Sequence, residues 1–311
     1  MNSIGRWPAL VLAAGYGTRL RPLSDVRAKA ALPVAGRPLI VRILEQLAAA
    51  GVTRVVVNLH HRAETITRIV GDGAHLGVDV RYSWESAPLG SGGGPARALP
   101  LLAADRFFVV NADTLADVPL GELAAAHVAA GASATLASAP ADLARYNALL
   151  ADAEGRVSGV ATRGTPDADL PAGRHPWHFI GLQAVNAAAL AAVDPMHPSE
   201  SIQQIYPALW SAQPGSVRVF PASGDFFDIG TPRDYYDTVC RVAAREGRPL
   251  DRGRACTVAA SARVDTSILW DGVTVGEGAR LTRCVVADGV AVPAGVSYDR
   301  TVLTRGAAVP F

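Results

Sequence analysis

A 17-residue repeat occupies the C-terminal part of the chain and restricts its fold more than any other sequence feature. Three units follow one another: VAASARVDTSILWDGVT from Val258, VGEGARLTRCVVADGVA from Val275 and VPAGVSYDRTVLTRGAA from Val292. The positions in register are Val258/Val275/Val292, Ala262/Ala279/Val296, Val264/Leu281/Tyr298, Ile268/Val285/Val302 and Gly272/Gly289/Gly306. Small or apolar residues recur about every six positions, as in a β-solenoid whose coils stack their inward residues. This spacing predicts a small left-handed β-helix.

The first part of the chain alternates short β-branched runs with Ala- and Leu-rich helical stretches. The predicted order is strand, helix, strand, helix, strand, helix and strand, formed in turn by ALVLAAG, PLIVRILEQLAAAG, TRVVVNL, AETITRIV, VDVRYSW, GPARALPLL and RFFVVNAD. This alternation predicts right-handed crossovers and a doubly wound, mostly parallel sheet with helices on both faces. Ligands bind beyond the C-terminal ends of such strands, so a site is expected after Ala14, Trp84 and Val110.

A chain of 311 residues is long enough for two domains. The less regular stretch from 120 to 227 completes the first domain, the helical PRDYYDTVCRVAAREG closes it, and residues 248–253 form a linker. We therefore predict a first domain over residues 1–247 and a β-helix over residues 254–311. The last repeat ends in TRGAAVPF without a charged cap, so we expect it to pack on the first domain or on another subunit of a homo-oligomer.

Charge and hydropathy argue against several classes of partner. The formal net charge is +1 and the arginines are scattered, a pattern that favours neither nucleic acid nor an anionic membrane. The apolar run from Ala9 to Ala14 is too short for a spanning helix or a signal peptide, so we expect a cytoplasmic protein. Cys240, Cys256 and Cys284 have no CxxC spacing and predict neither a disulfide framework nor a zinc site.

Lys29 is the only lysine in the chain, because 29 residues are Lys or Arg and 28 of them are arginine. The abundance of Ala, Gly and Arg indicates a coding bias under which exposed lysines become arginine at little cost. A lysine that persists is expected where the exchange is costly. An ammonium is a compact point charge on a flexible stem, whereas a guanidinium is a planar fork that imposes one geometry on a phosphate. Lys29 is therefore a candidate catalytic residue.

The segment GYGTR follows the first predicted strand. Gly15 and Gly17 lie where the chain must turn tightly, and backbone N–H groups at a strand end can form a cradle for phosphate. The segment has neither the third glycine of a dinucleotide fingerprint nor the GK[ST] ending of a P-loop, so neither of those sites is predicted.

The longer string GYGTRLRPLS, followed by Lys29 and LPVAGRPLI, resembles the signature of the sugar-1-phosphate nucleotidyltransferases. ESAPLGSGGGPARALP resembles the base-binding loop of that family, VVNAD its first metal aspartate and FFDIGTPRDYY its second. Several members also carry a C-terminal left-handed β-helix. The resemblance covers nearly the whole chain and implies a Rossmann-like α/β nucleotidyltransferase domain. It implies transfer of a nucleoside monophosphate from a nucleoside triphosphate to a sugar 1-phosphate, with release of pyrophosphate.

The resemblance also implies roles for individual residues. Arg19 stabilises the leaving pyrophosphate, Lys29 follows the phosphorus from nucleotide to product, and Asp113 and Asp228 hold Mg2+. The segment LGSGGG is expected to be a loop against the base, with Pro95 beginning a helix directly after it. The predicted nucleotide-binding residues are Ala13, Ala14, Gly15, Gly17, Thr18, Leu89, Gly90, Gly92 and Gly93.

The sugar half departs from the family pattern. Many members use a Glu-Lys pair whose lysine holds the sugar phosphate, but this chain has no second lysine. The equivalent stretch is VSGVATRG, so either Arg163 substitutes or the sugar phosphate relies on Lys29 and the metal. HFIGLQAV resembles the sugar-side strand, and Asn147 and Gly181 are the further predicted sugar contacts. His178, in the same strand, is expected to be a surface or packing residue.

The sequence leaves the base and the sugar open. The LG[ST]xG pattern with a β-helical tail favours the mannose-1-phosphate guanylyltransferase branch, and the triple glycine after the serine is similar to the loop of N-acetylmuramate-1-phosphate uridylyltransferases. The intact Arg19, Lys29, Asp113 and Asp228 argue against a third alternative, a non-catalytic regulatory paralogue that binds sugar nucleotides. An acyltransferase, which the β-helix alone would suggest, needs more coils and usually a catalytic histidine, and no histidine follows His197.

Exchange of the single lysine tests its assignment. Lys29→Arg keeps the charge, so we expect a folded protein that loses most of its pyrophosphate release, a loss of about 3 kcal/mol or more in transition-state stabilisation. Steady-state kinetics measure the loss, and circular dichroism checks the fold. Turnover within a few-fold of wild type would contradict the explanation of the single lysine.

Overall fold

The computed structural model describes residues 7–311, which fall into two compact units. The first unit comprises the described residues up to Gly15, Ile43–His60 and Val70–Phe227. The second unit comprises Tyr16–Arg42, His61–Ile69 and Asp228–Phe311. The second unit thus contains the segment around Lys29 as well as the C-terminal repeats.

The helices and strands follow the predicted alternation closely in the first 111 residues. The α-helices are α1 Leu23–Val26, α2 Leu39–Ala49, α3 Ala63–Val70, α4 Gly90–Leu102, α5 Leu120–Ala130, α6 Tyr206–Ala212 and α7 Pro232–Arg245. The strands before the repeats are β1 Ala9–Leu12, β2 Pro33–Val34, β3 Arg37–Pro38, β4 Arg54–Leu59, β5 Asp79–Trp84, β6 Arg106–Asn111, β7 Thr114–Ala116, β8 Ala134–Pro140, β9 Ala148–Ala151, β10 Val157–Ala161, β11 His175–Asn186, β12 Val217–Pro221 and β13 Phe226–Asp228. Within residues 7–311, no helix is long and apolar enough to span a membrane.

The first unit is built on a mixed sheet with the strand order β10-β9-β11-β6-β1-β4-β5, and β8 pairs with both β11 and β12. Strands β5, β4, β1 and β6 are parallel, as the strand and helix alternation predicts. Strand β11 runs antiparallel to β6, and β8 and β9 pair antiparallel with β11. The doubly wound prediction therefore holds for the first half of the sheet, whereas the irregular stretch after residue 120 adds an antiparallel half.

Helix α4 begins at Gly90, so the prediction of a loop at LGSGGG with a helix starting at Pro95 is wrong. The glycines allow this helix to pack closely on a distant segment. The N–H groups of Gly92 and Gly93 both donate to the carbonyl of Ser199, at 2.8 and 3.4 Å. A Cβ built on Gly93 would lie 2.6 Å from the carbonyl oxygen of His197, which no larger residue could tolerate without movement.

The repeats form a parallel β-helix with three faces. Its strands are β14 Thr257–Val258, β15 Arg263–Asp265, β16 Ile268–Leu269, β17 Thr274–Val275, β18 Arg280–Thr282, β19 Val285–Val286, β20 Ala291–Val292, β21 Ser297–Asp299, β22 Thr301–Leu303 and β23 Ala308–Pro310. Parallel pairing aligns Val258 with Val275 and Val275 with Val292, and the other two faces keep the same offset of 17 residues. The register predicted from the sequence is confirmed.

The chain end caps the third coil. Strand β23 folds back antiparallel on β22, and the N–H of Phe311 donates to the carbonyl of Arg300 at 2.9 Å. The ring of Phe311 lies 5.6 Å from that of Tyr236 in α7, centroid to centroid. The expectation that the tail packs on residues of the predicted first domain is confirmed, and its packing on another subunit stays a prediction.

Truncation of a stacked core residue tests the β-helix register. Leu281 is fully buried between the equivalent residues of its neighbouring coils, so Leu281→Ala should lower the free energy of unfolding by about 2–5 kcal/mol. Val309→Ala, at a side chain that is 39% exposed, serves as the control and should change it by less than about 0.5 kcal/mol. Denaturant titration measures both values. Equal effects of the two substitutions would contradict the observed stacking.

Candidate active site

A buried hydrogen-bond network joins three strand ends of the first unit. The N–H of Ala13, after β1, donates to Oδ1 of Asn58 in β4 at 2.6 Å. The Nδ2 of Asn58 donates to Oε1 of Glu85 at 2.7 Å, and the N–H of Leu89 donates to Oε2 of Glu85 at 2.8 Å. Asn58 and Glu85 are 3% and 5% exposed. The network fixes the backbone at Ala13 and Leu89, two of the predicted nucleotide-binding residues.

Asn58 and Glu85 were not predicted as site residues from the sequence, although each lies at or just after the end of a predicted strand. The other predicted nucleotide-binding residues of this unit differ in burial and backbone angle. Ala14 is buried, Gly15 is exposed, and Gly90 has a φ of 75° that favours glycine. The N–H groups of Leu89, Gly92 and Gly93 all have protein acceptors, and the assignment of this segment to the nucleotide stays a prediction.

Asp113 lies in the turn between β6 and β7, with its Oδ1 accepting from the hydroxyl of Thr114 at 3.2 Å. Gly181, a predicted sugar contact, packs against this turn. It has a φ of 80°, and a Cβ built on it would lie 3.0 Å from Oγ1 of Thr114 and 3.1 Å from Cβ of Asn111. The structure therefore brings Gly181 and the turn of Asp113 together, and both the backbone angle and the close approach favour glycine.

The glycine turn of the second unit lies against Lys29. Gly17 has a φ of 62°, and a Cβ built on it would lie 3.1 Å from Cβ of Ser24 and 3.6 Å from Cβ of Lys29. The hydroxyl of Ser24 donates to the carbonyl of Gly17 at 2.8 Å and so fixes the turn. Lys29 begins a short 3-10 turn, Lys29–Ala31, in which the two alanines are buried. Thr18, next to Gly17, is exposed.

Arg19 lies over the loop that follows Asp228. Its Nη1 would be 3.2 Å from a Cβ built on Gly230, two residues after Asp228. That loop is fixed where it enters α7, because Thr231 and Asp234 form a capping box. The second unit thus gathers the glycine turn, Arg19, Lys29 and the loop of Asp228, four features that the sequence analysis assigned to one reaction.

A cavity of about 800 Å³ opens in the antiparallel half of the first unit. Asn147 and Arg163, both predicted sugar contacts, line it, and Oδ1 of Asn147 accepts from the N–H of Arg163 at 2.8 Å. Arg145 also lines it, and no Asp or Glu occurs among the described residues of its wall. Gly181 is not part of this wall. The cavity is therefore positively charged, as expected for a site that takes an anionic ligand.

Aromatic rings form one side of the cavity. The rings of Tyr146 and His178 line the cavity, with their centroids 4.0 Å apart and their planes tilted by 30°. Phe226 lies 5.4 Å from His178 but does not line the cavity. Burial lowers the pKa of His178, and its contact with the backbone carbonyl of Asn147 only partly offsets this effect, so the ring is neutral at neutral pH. His178 packs as the sequence predicts, but it also lines the cavity, a role that sequence analysis missed.

Within residues 7–311, no three His, Cys, Asp or Glu side chains cluster closely enough to hold a metal ion by themselves. A metal bound near Asp113 or Asp228 would therefore take its remaining ligands from substrate oxygens or water. Mg2+ binds in this way, through one or two carboxylates plus phosphate oxygens. The oxygen donors present fit such an ion.

Two family models match this chain. A model described as nucleotidyl transferase matches residues 8–160, and a model described as GlmU-like, C-terminal hexapeptide matches residues 253–300. The first match covers β1, β4, β5 and β6 together with the turn that carries Asp113, and the second covers most of the β-helix. Both agree with the predicted fold class.

Curated relatives and solved structures are similar to this chain. A mannose-1-phosphate guanyltransferase of Candida albicans is 31% identical over 241 residues, which is 74% of this chain and 63% of that protein. A mannose-1-phosphate guanylyltransferase of Mycobacterium tuberculosis is 28% identical over 86% of this chain and 71% of its own length. The chain thus spans less than two thirds of the first of these relatives. HddC from Yersinia pseudotuberculosis shares the fold, with a TM-score of 0.64, 22% identity, and coverage of 76% of this chain and 99% of HddC.

Substitution of two glycines with the same backbone φ angle distinguishes the cost of backbone strain from the effect of site geometry on activity. Gly17 and Gly247 both have a φ of 62°, but a Cβ on Gly247 would meet nothing within 4 Å. Gly247→Ala should therefore cost only the left-handed backbone penalty, about 1–2 kcal/mol of unfolding free energy, and keep pyrophosphate release. Gly17→Ala should cost more and lower pyrophosphate release, because its Cβ meets Ser24 beside Lys29. Equal losses of stability and activity in the two variants would contradict this geometry.

Proposed function

We propose that this chain is a member of the nucleotidyl transferase family and that it transfers a nucleoside monophosphate from a nucleoside triphosphate to a sugar 1-phosphate with release of pyrophosphate, as the family match over residues 8–160 and the names of the curated relatives support. One observation carries the proposal. In the second unit, the glycine turn at Gly17 lies against Lys29, and Arg19 lies over the loop after Asp228. Two cations beside a glycine turn suit a triphosphate whose α-phosphorus is attacked while its β- and γ-phosphates leave.

Positioning and charge neutralisation account for the proposed catalysis, since phosphoryl transfer leaves little covalent chemistry to the protein. The Arg19 guanidinium offers two parallel N–H groups to the β- and γ-phosphates and stabilises the negative charge that the leaving pyrophosphate gains. The Lys29 ammonium, on its flexible stem, stays with the α-phosphoryl group as it passes to the sugar phosphate oxygen. The buried alanines that follow Lys29 keep the base of this stem fixed.

We propose Mg2+ as the metal, with Asp113 and Asp228 as its protein ligands. Both side chains are half-buried and offer carboxylate oxygens, the donors that this hard cation prefers. When bound, the ion would neutralise triphosphate charge and polarise the phosphoryl oxygens. The assignment of these two residues rests on the sequence motifs VVNAD and FFDIGTPRDYY.

The sugar 1-phosphate is proposed to bind in the cavity lined by Asn147 and Arg163. Arg163 supplies the cation that many relatives take from a lysine. The rings of Tyr146 and His178 offer aromatic surface to a pyranose ring, and the Asn147 side chain offers an amide to its hydroxyls. Mannose 1-phosphate with GTP is the favoured pair, supported by the names of the relatives. The expected cytoplasmic location stays a prediction.

A second substrate pair, N-acetylmuramate 1-phosphate with UTP, is favoured by one observation. The cavity wall carries two guanidinium groups, Arg145 and Arg163, and no described acidic residue. The 1-phosphate of an uncharged sugar requires only one of these guanidinium groups. The lactyl ether of N-acetylmuramate adds a carboxylate that can pair with the other guanidinium.

A matrix of substrates tests the proposed function. Each of ATP, CTP, GTP, UTP and dTTP is combined with mannose, glucose, N-acetylglucosamine and N-acetylmuramate 1-phosphates in the presence of Mg2+, and pyrophosphate release is measured. The proposal predicts release with at least one pair and formation of the matching nucleotide sugar. Selective use of GTP with mannose 1-phosphate supports the favoured pair, and selective use of UTP with N-acetylmuramate 1-phosphate supports the second. No release from any pair would contradict a nucleotidyltransferase acting on these sugars.

Removal of either proposed metal ligand should abolish metal-dependent turnover. Asp113→Asn and Asp228→Asn each leave a single carboxylate for an ion that binds through charge, so we expect kcat to fall about 100-fold or more. Asp237→Asn is the matched control, because its carboxylate is 60% exposed and forms an ion pair with Arg233 in the same helix at 3.9 Å. The initial rate is measured at increasing Mg2+ concentration for wild type, the two variants and the control. Full rescue of both variants at high Mg2+ would show that the two carboxylates are not the ligands.

A further inference from the structure

Arg27, two residues before Lys29, is the centre of an ion-pair cluster with the β-helix. Its Nε donates to Oδ2 of Asp288 at 2.7 Å, and its Nη2 donates to Oδ1 of Asp288 at 2.6 Å and to Oδ2 of Asp271 at 2.7 Å. The guanidinium also lies 5.3 Å from the ring of Trp270. The Arg27 side chain is only 16% exposed, so these contacts are largely shielded from water.

The two aspartates occupy the same position in successive repeats. Asp271 and Asp288 are 17 residues apart, each directly before a glycine, and the N–H of Asp271 donates to Oδ1 of Asp288 at 3.1 Å. The third repeat has Arg305 at this position. Stacking of the first two coils therefore places two carboxylates together, and both bind the Arg27 guanidinium. Burial alone would lower the pKa of Arg27, but the hydrogen bonds and charges of Asp288 and Asp271 outweigh burial and raise it.

A second chain of contacts reaches the other side of Lys29. The indole N–H of Trp270 donates to the hydroxyl of Tyr235 at 3.0 Å, and that hydroxyl donates to the carbonyl of Pro33 at 2.6 Å. Trp270 and Tyr235 are both almost completely buried. Pro33 follows Lys29 by four residues. The β-helix therefore reaches the chain on both sides of Lys29. It contacts Arg27 directly through the two aspartates, and it contacts Pro33 indirectly, through Tyr235 of α7.

We propose that Arg27 is a positioning residue for Lys29 and that the first two coils of the β-helix are its support. The inference rests on the proposed function only in giving Lys29 its role. The turn Lys29–Ala31 is short, and the N–H of Ala28 donates to the hydroxyl of Thr65 at 3.1 Å, so the main chain at Lys29 has little freedom while Arg27 is held. A displacement of about 1 Å in a group that contacts the transition state can lower a rate by about 100-fold.

The test compares the cluster with a matched ion pair elsewhere in the β-helix. Arg27→Gln, Arg27→Lys, Asp271→Asn and Asp288→Asn alter the cluster, and Tyr235→Phe removes the hydroxyl that reaches Pro33. Arg283→Gln is the control. Arg283 binds the carboxylate of Asp299 through Nε and Nη2, as Arg27 binds that of Asp288, but the Arg283 side chain is 43% exposed. Kinetics of pyrophosphate release and hydrogen–deuterium exchange of the full chain are measured for every variant.

The kinetic expectation is a loss in kcat rather than in KM. Arg27→Gln should lower kcat about 10- to 100-fold and leave the KM for the nucleoside triphosphate within about threefold. The reason is that displacing the Lys29 ammonium weakens an interaction made chiefly in the transition state. Arg27→Lys, which keeps a charge but loses the fork, should recover part of the loss. Asp288→Asn should be more severe than Asp271→Asn, since Asp288 accepts two of the three hydrogen bonds. Arg283→Gln should behave as wild type.

Hydrogen–deuterium exchange gives a readout that does not depend on turnover. In Arg27→Gln and Tyr235→Phe, the amides of residues 28–32 and of Val34 should exchange at least about tenfold faster than in wild type, while amides of the third coil keep their protection. If no substrate pair yields pyrophosphate, the proposed function fails, yet the exchange comparison still decides whether the β-helix holds the Lys29 segment. Unchanged exchange at residues 28–32 and Val34, or an equal loss of kcat in Arg283→Gln, would overturn the proposal.

Discussion

Parallel strands that end at one edge of a sheet are the constraint on which the first unit depends. Strands β1, β4 and β5 are parallel neighbours, so Ala13, Asn58 and Glu85 meet where these strands end and are joined by hydrogen bonds. Both polar side chains are buried, and a buried group left without its partner costs about 1–3 kcal/mol. The network therefore both stabilises the sheet edge and fixes the backbone of the turns that leave it.

Features that depend on neighbouring residues could be predicted from the sequence. The seven elements from ALVLAAG to RFFVVNAD follow from local periodicity, and all of them are observed. The register of the β-helix also follows, because identical spacing repeats inside each coil. Among the candidate site residues, the meeting of Gly17 with Lys29 and of Asn147 with Arg163 agrees with the motifs, since each pair is separated by only 12 or 16 residues.

Features that depend on distant residues could not be predicted. Gly92 and Gly93 indicate a flexible loop when considered alone, but their N–H groups meet the carbonyl of Ser199 more than 100 residues later, which makes a helix stable there. The partners of Arg27 lie 244 and 261 residues away in sequence. The recurrence of Asp before Gly in two repeats was the available signal, but the predicted register used only the small and apolar positions of the repeat.

The column formed by Asp271, Asp288 and Arg305 makes the coils of the β-helix unequal. Arg305 ends the acidic column and donates from its Nε to the carbonyl of Gly289 at 3.3 Å. Loss of one whole coil between the first two aspartates would bring Arg305 next to the remaining carboxylate. The guanidinium of Arg305 would then repel that of Arg27. The repeats are therefore not interchangeable modules. Coils can be added by duplication or lost by deletion beyond the second coil without breaking the described contacts of Arg27 with Asp271 and Asp288.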